Sequence, residues 1–285
     1  MGGDIEFQSP FRCSKEEAKI LVGLWEKGLH CGIGGPMPMS GATTPVTLAG
    51  TLTQNIAETL FCSVITRVMN GDKILAFGMG LGLMDMRSEA FLRSRPENGL
   101  FALALGQIVH KLYKGHFRGH SFDMADAQTP SIEAGFENAM CVFTGILAGS
   151  RYIGGLGLIC HPTGILSALK LIIDNECVGF VKRFLRGFEV NEETIAFDVV
   201  EEVGAGGNFL DKHHTAENFR KEHWQSSIFN RDTYQSWVPY GSKTDLDKAR
   251  EIYDEIMKKE DIKPKIDEET EKALLKVGEE GAQYV

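Results

Sequence analysis

The sequence lacks a long apolar run, a secretory signal and an excess of positive charge. No apolar stretch approaches the roughly 20 residues that a membrane-spanning helix needs. The N-terminal stretch MGGDIEFQSPFRCSKEEAK contains no apolar signal core. The net charge of −9 argues against a nucleic-acid groove as the main functional surface. We therefore expect a cytoplasmic globular protein that binds neither membranes nor nucleic acid.

Cysteines are few, and none of them forms a CxxC pair. Most lie in apolar segments, which indicates buried, reduced thiols rather than disulfides or a zinc knuckle. The chain has 285 residues, which is enough for one large domain or two ordinary ones. The six cysteines are Cys13, Cys31, Cys62, Cys141, Cys160 and Cys177.

Four short, apolar, glycine-rich segments are each followed by a helical pattern. This alternation predicts parallel strands joined by right-handed crossover helices. It fits either an open doubly wound sheet or part of a (β/α) barrel. No GxGxxG motif opens the first helix, so dinucleotide binding is only weakly supported. The predicted strands span residues 29–33, 73–80, 116–122 and 151–159.

After residue 190 the strand–helix alternation stops. Residues 191–240 are predicted to form a helical C-terminal module, and residues 241–285 a charged, solvated helical tail. The histidine-rich stretch DKHHTAENFRKEHW in this module has no metal-ligand spacing, and we interpret it as a packed helix. The predicted domain boundaries are thus 1–190, 191–240 and 241–285.

Functional residues of parallel α/β folds lie at the carboxyl ends of the strands. This rule selects the segments GPMPMSGATTP, MGLGLMDMRSE, GHSFDMADAQTP and GLICHPTG. The first is either a proline-stiffened loop without a ligand or a rigid apolar wall formed around Met39 and Ser40. In the second, Asp85 and Arg87 form either a surface ion pair or a desolvated pair that orients a polar partner.

Histidines follow two of the predicted strands. His120 and Asp123 come after the third strand, and His161 comes after the fourth. A lone histidine is usually structural, but two at successive strand ends favour a site. They are far apart in the sequence and no third ligand is evident, so a metal site is not predicted.

Several of these segments together resemble one family. PMPMSGATTPVTLAGTLTQNIAE is similar to the hallmark segment of the trimethylamine:corrinoid methyltransferase family, which includes glycine betaine methyltransferases. MDMRS, AGFENA and GGLG resemble three further family segments in the same order. The module GGNFLDKHHTAENFRKEHWQSSIFNRDTYQSW resembles the family's C-terminal part, with matching positions at His214, Thr215, Phe219 and Arg220. The resemblance runs from about Leu24 to about Lys258.

The resemblance implies a fold. The family fold is a (β/α)8 TIM-type barrel in a chain nearly twice as long, so this α/β chain is expected to supply the C-terminal half. That half would contain four strand–helix units followed by the helical module. A half barrel has open edges. The other half is therefore separately encoded, or the chain is a fragment, or two copies pair.

The resemblance also implies a reaction, namely transfer of a methyl group from trimethylamine or a quaternary amine to the cobalt of a corrinoid. The corrinoid is carried by a partner protein, and this chain binds no cofactor directly and no metal. Trimethylamine-specific members carry pyrrolysine at a strand end, but residues 120–130 here contain only standard residues. The chain is therefore more similar to members that act on quaternary amines such as glycine betaine.

The predicted site combines two groups of residues, with orienting and pocket-lining roles rather than proton transfer. The catalytic positions are His120, Asp123 and His161, and the substrate-binding positions are Met39, Ser40, Asp85 and Arg87.

The alternative function is that of a non-catalytic fragment or complementing subunit that needs a separately encoded N-terminal half. Another barrel enzyme of the corrinoid or porphyrin type is a third, weaker interpretation.

Overall fold

The computed structural model describes residues 2–71, 76–78, 80–114, 116–118, 125–150, 152, 154–162, 164–259 and 266–282. The strands are short and the helices carry most of the ordered chain. In chain order the first part comprises β1 Gly2–Glu6, α1 Lys15–Glu26, β2 His30–Gly34, β3 Met39–Ser40, α2 Leu48–Asn70, β4 Ala76–Gly78, β5 Gly82–Met84, β6 Phe91–Leu92, α3 Pro96–Ile108 with a π-helical turn Val109–Tyr113, β7 His116–Arg118, α4 Ile132–Leu147, β8 Leu158–Ile159, β9 Ile165–Leu166 and α5 Ala168–Arg186.

Parallel pairing with helical crossovers organises this part of the chain. β1 pairs in parallel with β2, Gly2 opposite His30, and α1 connects them. β4 pairs in parallel with β7, Ala76 opposite His116, and α3 with its π-helical turn connects them. The prediction of an α/β chain is confirmed.

The structure contains strands outside the four predicted ranges, namely β1, β3, β5, β6 and β9. β1 was not predicted, because GGDIE has no strand-like alternation of apolar residues. Among the described residues of the predicted strand at 151–159, those assigned to a strand are Leu158–Ile159, which pair antiparallel with β9. Gly155 and Gly157 have φ values of +63° and +80°, so the backbone turns where the apolar composition had suggested a straight strand.

A separate three-stranded sheet of very short strands lies among the loops. β3 pairs in parallel with β5, and β5 pairs antiparallel with β6. Gly82 in β5 is required there, because a Cβ atom would lie 2.3 Å from Phe91 Cε2 and 2.6 Å from the Leu92 carbonyl oxygen. The sheet joins the loops that follow β2 and β4.

The largest apolar cluster lies between α2, α3 and β7. Its buried members centre on α3. Apolar residues recur every four positions along α2, which predicts one apolar face, and this face packs against the cluster except at Val64, which is exposed. Burial of such side chains is worth roughly 1.5–3 kcal/mol each. The cluster consists of Leu81, Phe101, Ala102, Leu105, Val109, Phe117 and Ala148, flanked by Leu48, Leu52, Ile56 and Leu60.

Helix starts follow local sequence signals. Glu17 follows Ser14 by three residues, which predicts a capping box for α1, and the structure confirms it: the Glu17 amide donates to Ser14 Oγ (3.1 Å), and the Ser14 amide donates to Glu17 Oε2 (2.7 Å). The proline before SIEAGFENA predicts Pro130 at the first turn of α4, but Ser131 is the N-cap and the helix begins at Ile132. Pro130 therefore precedes the helix.

A buried charged network fixes the chain before β8. Asp174 Oδ2 accepts hydrogen bonds from Lys170 Nζ (2.6 Å), Asn138 Nδ2 (2.8 Å) and the Gly157 amide (2.7 Å). These groups lie between α4 and α5, and the three side chains are almost fully buried. Three donors on one oxygen compensate part of the cost of burying the charges.

The C-terminal part is helical and packs on α5. Glu176 of α5 accepts hydrogen bonds from Ser226 and Ser227, and Phe180 of α5 packs edge-on against Trp224. Among the described residues, no helix combines the length and the apolar character needed to cross a bilayer. The helices are α6 Glu192–Ile195, α7 Phe197–Val203, α8 His213–Glu222, α9 Tyr234–Trp237, α10 Asp245–Met257 and α11 Glu268–Ala282.

Candidate functional site

The turn after β2 is ordered and partly buried. The Met39 amide donates to Thr43 Oγ1 (2.8 Å). Ser40 is buried, and its Oγ lies 3.0 Å from the hydroxyl of Thr51 on α2. That hydroxyl also lies 2.6 Å from the carbonyl oxygen of Pro45, to which it donates. The segment that carries the family hallmark is therefore pinned to the start of α2.

This turn contacts the turn after β5. Gly41 has a φ of +88°, and a Cβ atom there would lie 2.2 Å from Met86 Cε. Glycine is needed at this position for both its backbone conformation and its close contact. Met37 and Met86 are exposed, so the two turns present apolar side chains to solvent.

Asp85 and Arg87 lie on the turn between β5 and β6. Asp85 Oδ1 accepts hydrogen bonds from the amides of Arg87 and Ser88, both at 2.9 Å. These two bonds, with the Ser88 amide contributing most, lower the pKa of Asp85 below its usual value. Arg87 is exposed. Asp85 is thus bonded to the main chain of its own turn, and its predicted partner contributes an amide.

Asp126 links the loop after β6 to the loop after β7. Its carboxylate is buried and accepts hydrogen bonds from the Arg93 amide (3.1 Å) and the Ser94 amide (2.9 Å). Asp123 in the same segment was the predicted site residue, and Asp126 was not predicted. A carboxylate that binds main-chain amides produces no characteristic residue spacing in the sequence. The only sequence signal for Asp126 was its position in the segment that follows the third predicted strand.

His161 joins a third loop to this pair. Its Nδ1 lies 2.8 Å from the carbonyl oxygen of Phe91, so Nδ1 carries a proton and donates. Nδ1 is also 3.9 Å from Asp126 Oδ1, and the imidazole packs 5.2 Å from the Phe91 ring. The predicted residue His161 is therefore buried at the junction of three loops.

Main-chain hydrogen bonds reinforce this junction. The amide of Ala125 donates to the Leu158 carbonyl, and the amide of Cys160 donates to the Ala127 carbonyl. The His161 amide donates to the Ala125 carbonyl (3.3 Å). The loops after β7 and before β9 are thus held together by the backbone as well as by side chains.

Glu137 of α4 is a second carboxylate that the sequence analysis missed. Its Oε2 accepts a hydrogen bond from the Ala127 amide (3.1 Å). Burial and the nearby charge of Asp126 raise the pKa of Glu137 above its usual value. It borders a mostly apolar groove of about 330 Å³ between α3 and α4.

The remaining two predicted catalytic positions, His120 and Asp123, lie outside the described residues. The structure brings His161 together with Asp126, while Met39, Ser40 and Asp85 lie on two contacting turns. In the described part of the chain, no group of three or more histidine, cysteine, aspartate or glutamate side chains could hold a metal ion.

Parallel strand pairs connected through helices, with most of the ordered chain helical, define a mixed α/β protein. Within that class, the chain belongs to the trimethylamine methyltransferase (MTTB) family, whose model matches residues 1–278. The family predicted from the sequence is confirmed.

Curated relatives carry methyltransferase names. The chain is 31% identical over 206 residues to a glycine betaine methyltransferase of Desulfitobacterium hafniense, covering 70% of this chain and 41% of the relative. It is 29% identical over 264 residues to the trimethylamine methyltransferase MttB of Methanosarcina thermophila, covering 90% and 52%. The chain therefore spans about half the length of the curated relatives it matches.

Proposed function

We propose that this chain is part of a methyltransferase that transfers a methyl group from trimethylamine or a quaternary amine to the cobalt of a corrinoid on a partner protein. The observation that carries the proposal is the family match over residues 1–278. The names of the relatives favour two substrates, glycine betaine and trimethylamine. In this proposal the chain is the C-terminal half of a (β/α)8 barrel, and the parallel pairs β1–β2 and β4–β7 support that architecture.

The described side chains suit positioning rather than proton transfer. Asp126 is engaged with two main-chain amides, and His161 Nδ1 with a main-chain carbonyl. Transfer of a methyl group from an ammonium nitrogen releases a neutral amine, so the step needs no general acid or base. The chain then contributes orientation, which lowers a barrier by at most about 7–11 kcal/mol. His120 and Asp123, which lie outside the described residues, are proposed as further catalytic positions with His161.

The corrinoid supplies the nucleophile that accepts the methyl group. In this proposal the corrinoid stays on the partner protein, and the chain presents a docking surface to it. The exposed side chains of Met37 and Met86 on the two contacting turns would face such a partner. Met39, Ser40, Asp85 and Arg87 are proposed to line the substrate side of these turns.

A second candidate is a complementing subunit or fragment that acts only with a separate N-terminal half. The observation that favours it is the coverage, since the chain spans about half of each matched relative. Light scattering after size exclusion, with the chain alone and with a polypeptide of the remaining family region, separates the two candidates. Methyl transfer by the chain alone would exclude the second candidate.

The reaction is tested by mixing the chain with a reduced corrinoid protein and either trimethylamine or glycine betaine. Methylation changes the corrinoid absorption spectrum, and we expect the change with at least one of the two amines. His161→Ala should slow it at least tenfold, whereas His213→Ala, at an exposed position on α8, should not. Thermal melting of both variants checks that they fold. No spectral change with either amine, with or without the second half, would exclude the proposed reaction.

A further inference from the structure

A turn at the carboxyl end of β1 has no assigned role. Residues 8–12 form a closed turn in which Gln8 and Arg12 exchange two main-chain hydrogen bonds of 2.8 Å. Because β1 is parallel to β2, this turn leaves the same edge of the sheet as the hallmark turn after β2. The turn at residues 8–12 was not predicted as part of a site, because β1 itself was not predicted.

A buried carboxylate holds this turn. Glu58 of α2 is almost fully buried, and its Oε1 accepts hydrogen bonds from Ser9 Oγ (3.0 Å) and the Phe11 amide (3.2 Å). Its second oxygen, Oε2, is buried without a hydrogen-bond partner. Burial of a carboxylate is costly unless its hydrogen bonds compensate. The burial of a glutamate whose bonded oxygen accepts from this turn therefore indicates that the position of the turn is important for function.

The same side chain is connected to the hallmark turn. Gln54, one helical turn before Glu58, donates one amide hydrogen to Glu58 Oε1 (2.9 Å) and the other to the Thr43 carbonyl oxygen (2.8 Å). Glu58 therefore fixes residues 8–12 relative to the Met39–Thr43 turn. One face of α2 positions the loops that follow two adjacent strands.

The turn presents an aromatic ring to solvent. Phe11 is 56% exposed and has a φ of +48°, a conformation that a bulky residue rarely adopts. The hydrogen bond from its amide to Glu58 supports this conformation. An exposed aromatic ring on a turn that is hydrogen-bonded through Glu58 and Gln54 to the hallmark turn has the chemistry to bind a methylated ammonium group through its π face.

We propose that residues 8–12 form a fifth loop of the site, in which Phe11 contacts the methylammonium group and Glu58 acts as the positioning residue. The proposal rests on the proposed function. It adds a substrate contact and a buried anchor to the site.

The contact is tested by calorimetric titration of the whole chain, or its active assembly, with tetramethylammonium and no corrinoid protein. Phe11→Ala should weaken binding about twofold to fivefold, the range expected for an exposed cation–π contact. Phe11→Tyr, which keeps a ring, should bind like the wild type. Phe188→Ala, at another exposed phenylalanine, is the matched control. Equal binding by Phe11→Ala and the control would overturn the contact.

The anchor is tested without any substrate. Glu58→Gln keeps the shape of the side chain but removes its charge, so the Phe11 amide should exchange with deuterium at least threefold faster. Glu133→Gln, at an exposed position of α4, should leave that exchange unchanged. Unchanged exchange in Glu58→Gln would overturn the positioning role. Wild-type protein that neither binds tetramethylammonium nor methylates the corrinoid would instead refute the underlying function.

Discussion

Removal of Asp126 should destabilise the protein far more than removal of Asp85. Each aspartate accepts hydrogen bonds from two main-chain amides, but the carboxylate of Asp126 is buried, whereas the Asp85 turn is solvent-accessible. In Asp126→Ala two amides lose their acceptor. A buried group left unsatisfied costs about 1–3 kcal/mol, so we expect a loss of about 2–4 kcal/mol, allowing for some water access.

Urea denaturation measures this difference. With a slope of about 2 kcal/mol/M, a loss of that size lowers the midpoint by about 1–2 M. Far-ultraviolet circular dichroism and tryptophan fluorescence should both report the shift. Asp126→Asn retains one acceptor oxygen and should lie between the wild type and Asp126→Ala. A midpoint for Asp126→Ala equal to that of Asp85→Ala would refute the argument that Asp126 holds the loop after β6.

Three further predictions concern other parts of the structure. Gly82→Ala should destabilise the small loop sheet by about 1–3 kcal/mol, since the new methyl would overlap the Phe91 ring; a wild-type melting temperature would contradict this. Glu137 has a raised pKa, so the protein loses stability as the pH rises from the usual glutamate pKa to the raised one, where the unfolded chain ionises more readily than the folded chain. Glu137→Gln should therefore be more stable than wild type at pH 7 and lose this advantage below the usual glutamate pKa, as urea midpoints at the two pH values would reveal. Burial raises the pKa of Cys62 to about 11, so only about 0.1% of this residue is thiolate at pH 8. Iodoacetamide should therefore label exposed Cys13 well before Cys62, which peptide mass spectrometry can measure.

The sequence predicted the elements whose signals are local. The cap at Ser14 and the apolar stripe of α2 depend on neighbours within one or two helical turns, and both are present. The family segments were also recognisable, because each is a contiguous string. These features required no knowledge of which loops meet in space.

The parts that the sequence did not predict depend on contacts between distant segments. Glu58 follows Gln54 by one helical turn, and two polar residues at this spacing are typical of an exposed helix face. Glu58 is nevertheless buried, because the turn after β1 covers it. Asp126 was missed because its partners, the amides of Arg93 and Ser94, lie 33 and 32 residues away. The apolar, glycine-rich segment that includes Gly157 was predicted to be a strand, but its glycines form a turn.

The backbone bonds between the loop after β7 and the segment around β8 limit where the chain can change length. Surface loops usually accept insertions readily. Here Ala125 and Ala127 pair with residues on either side of Ile159, so one inserted residue would shift the carboxylate of Asp126 away from its amides. Residues 204–207 form a solvent-exposed turn of the C-terminal module, where an insertion would disturb one long main-chain hydrogen bond, from the Gly207 amide to the Gly204 carbonyl (3.4 Å). An epitope tag or a fluorescent label would therefore be placed at that turn and kept out of the strand-end loops.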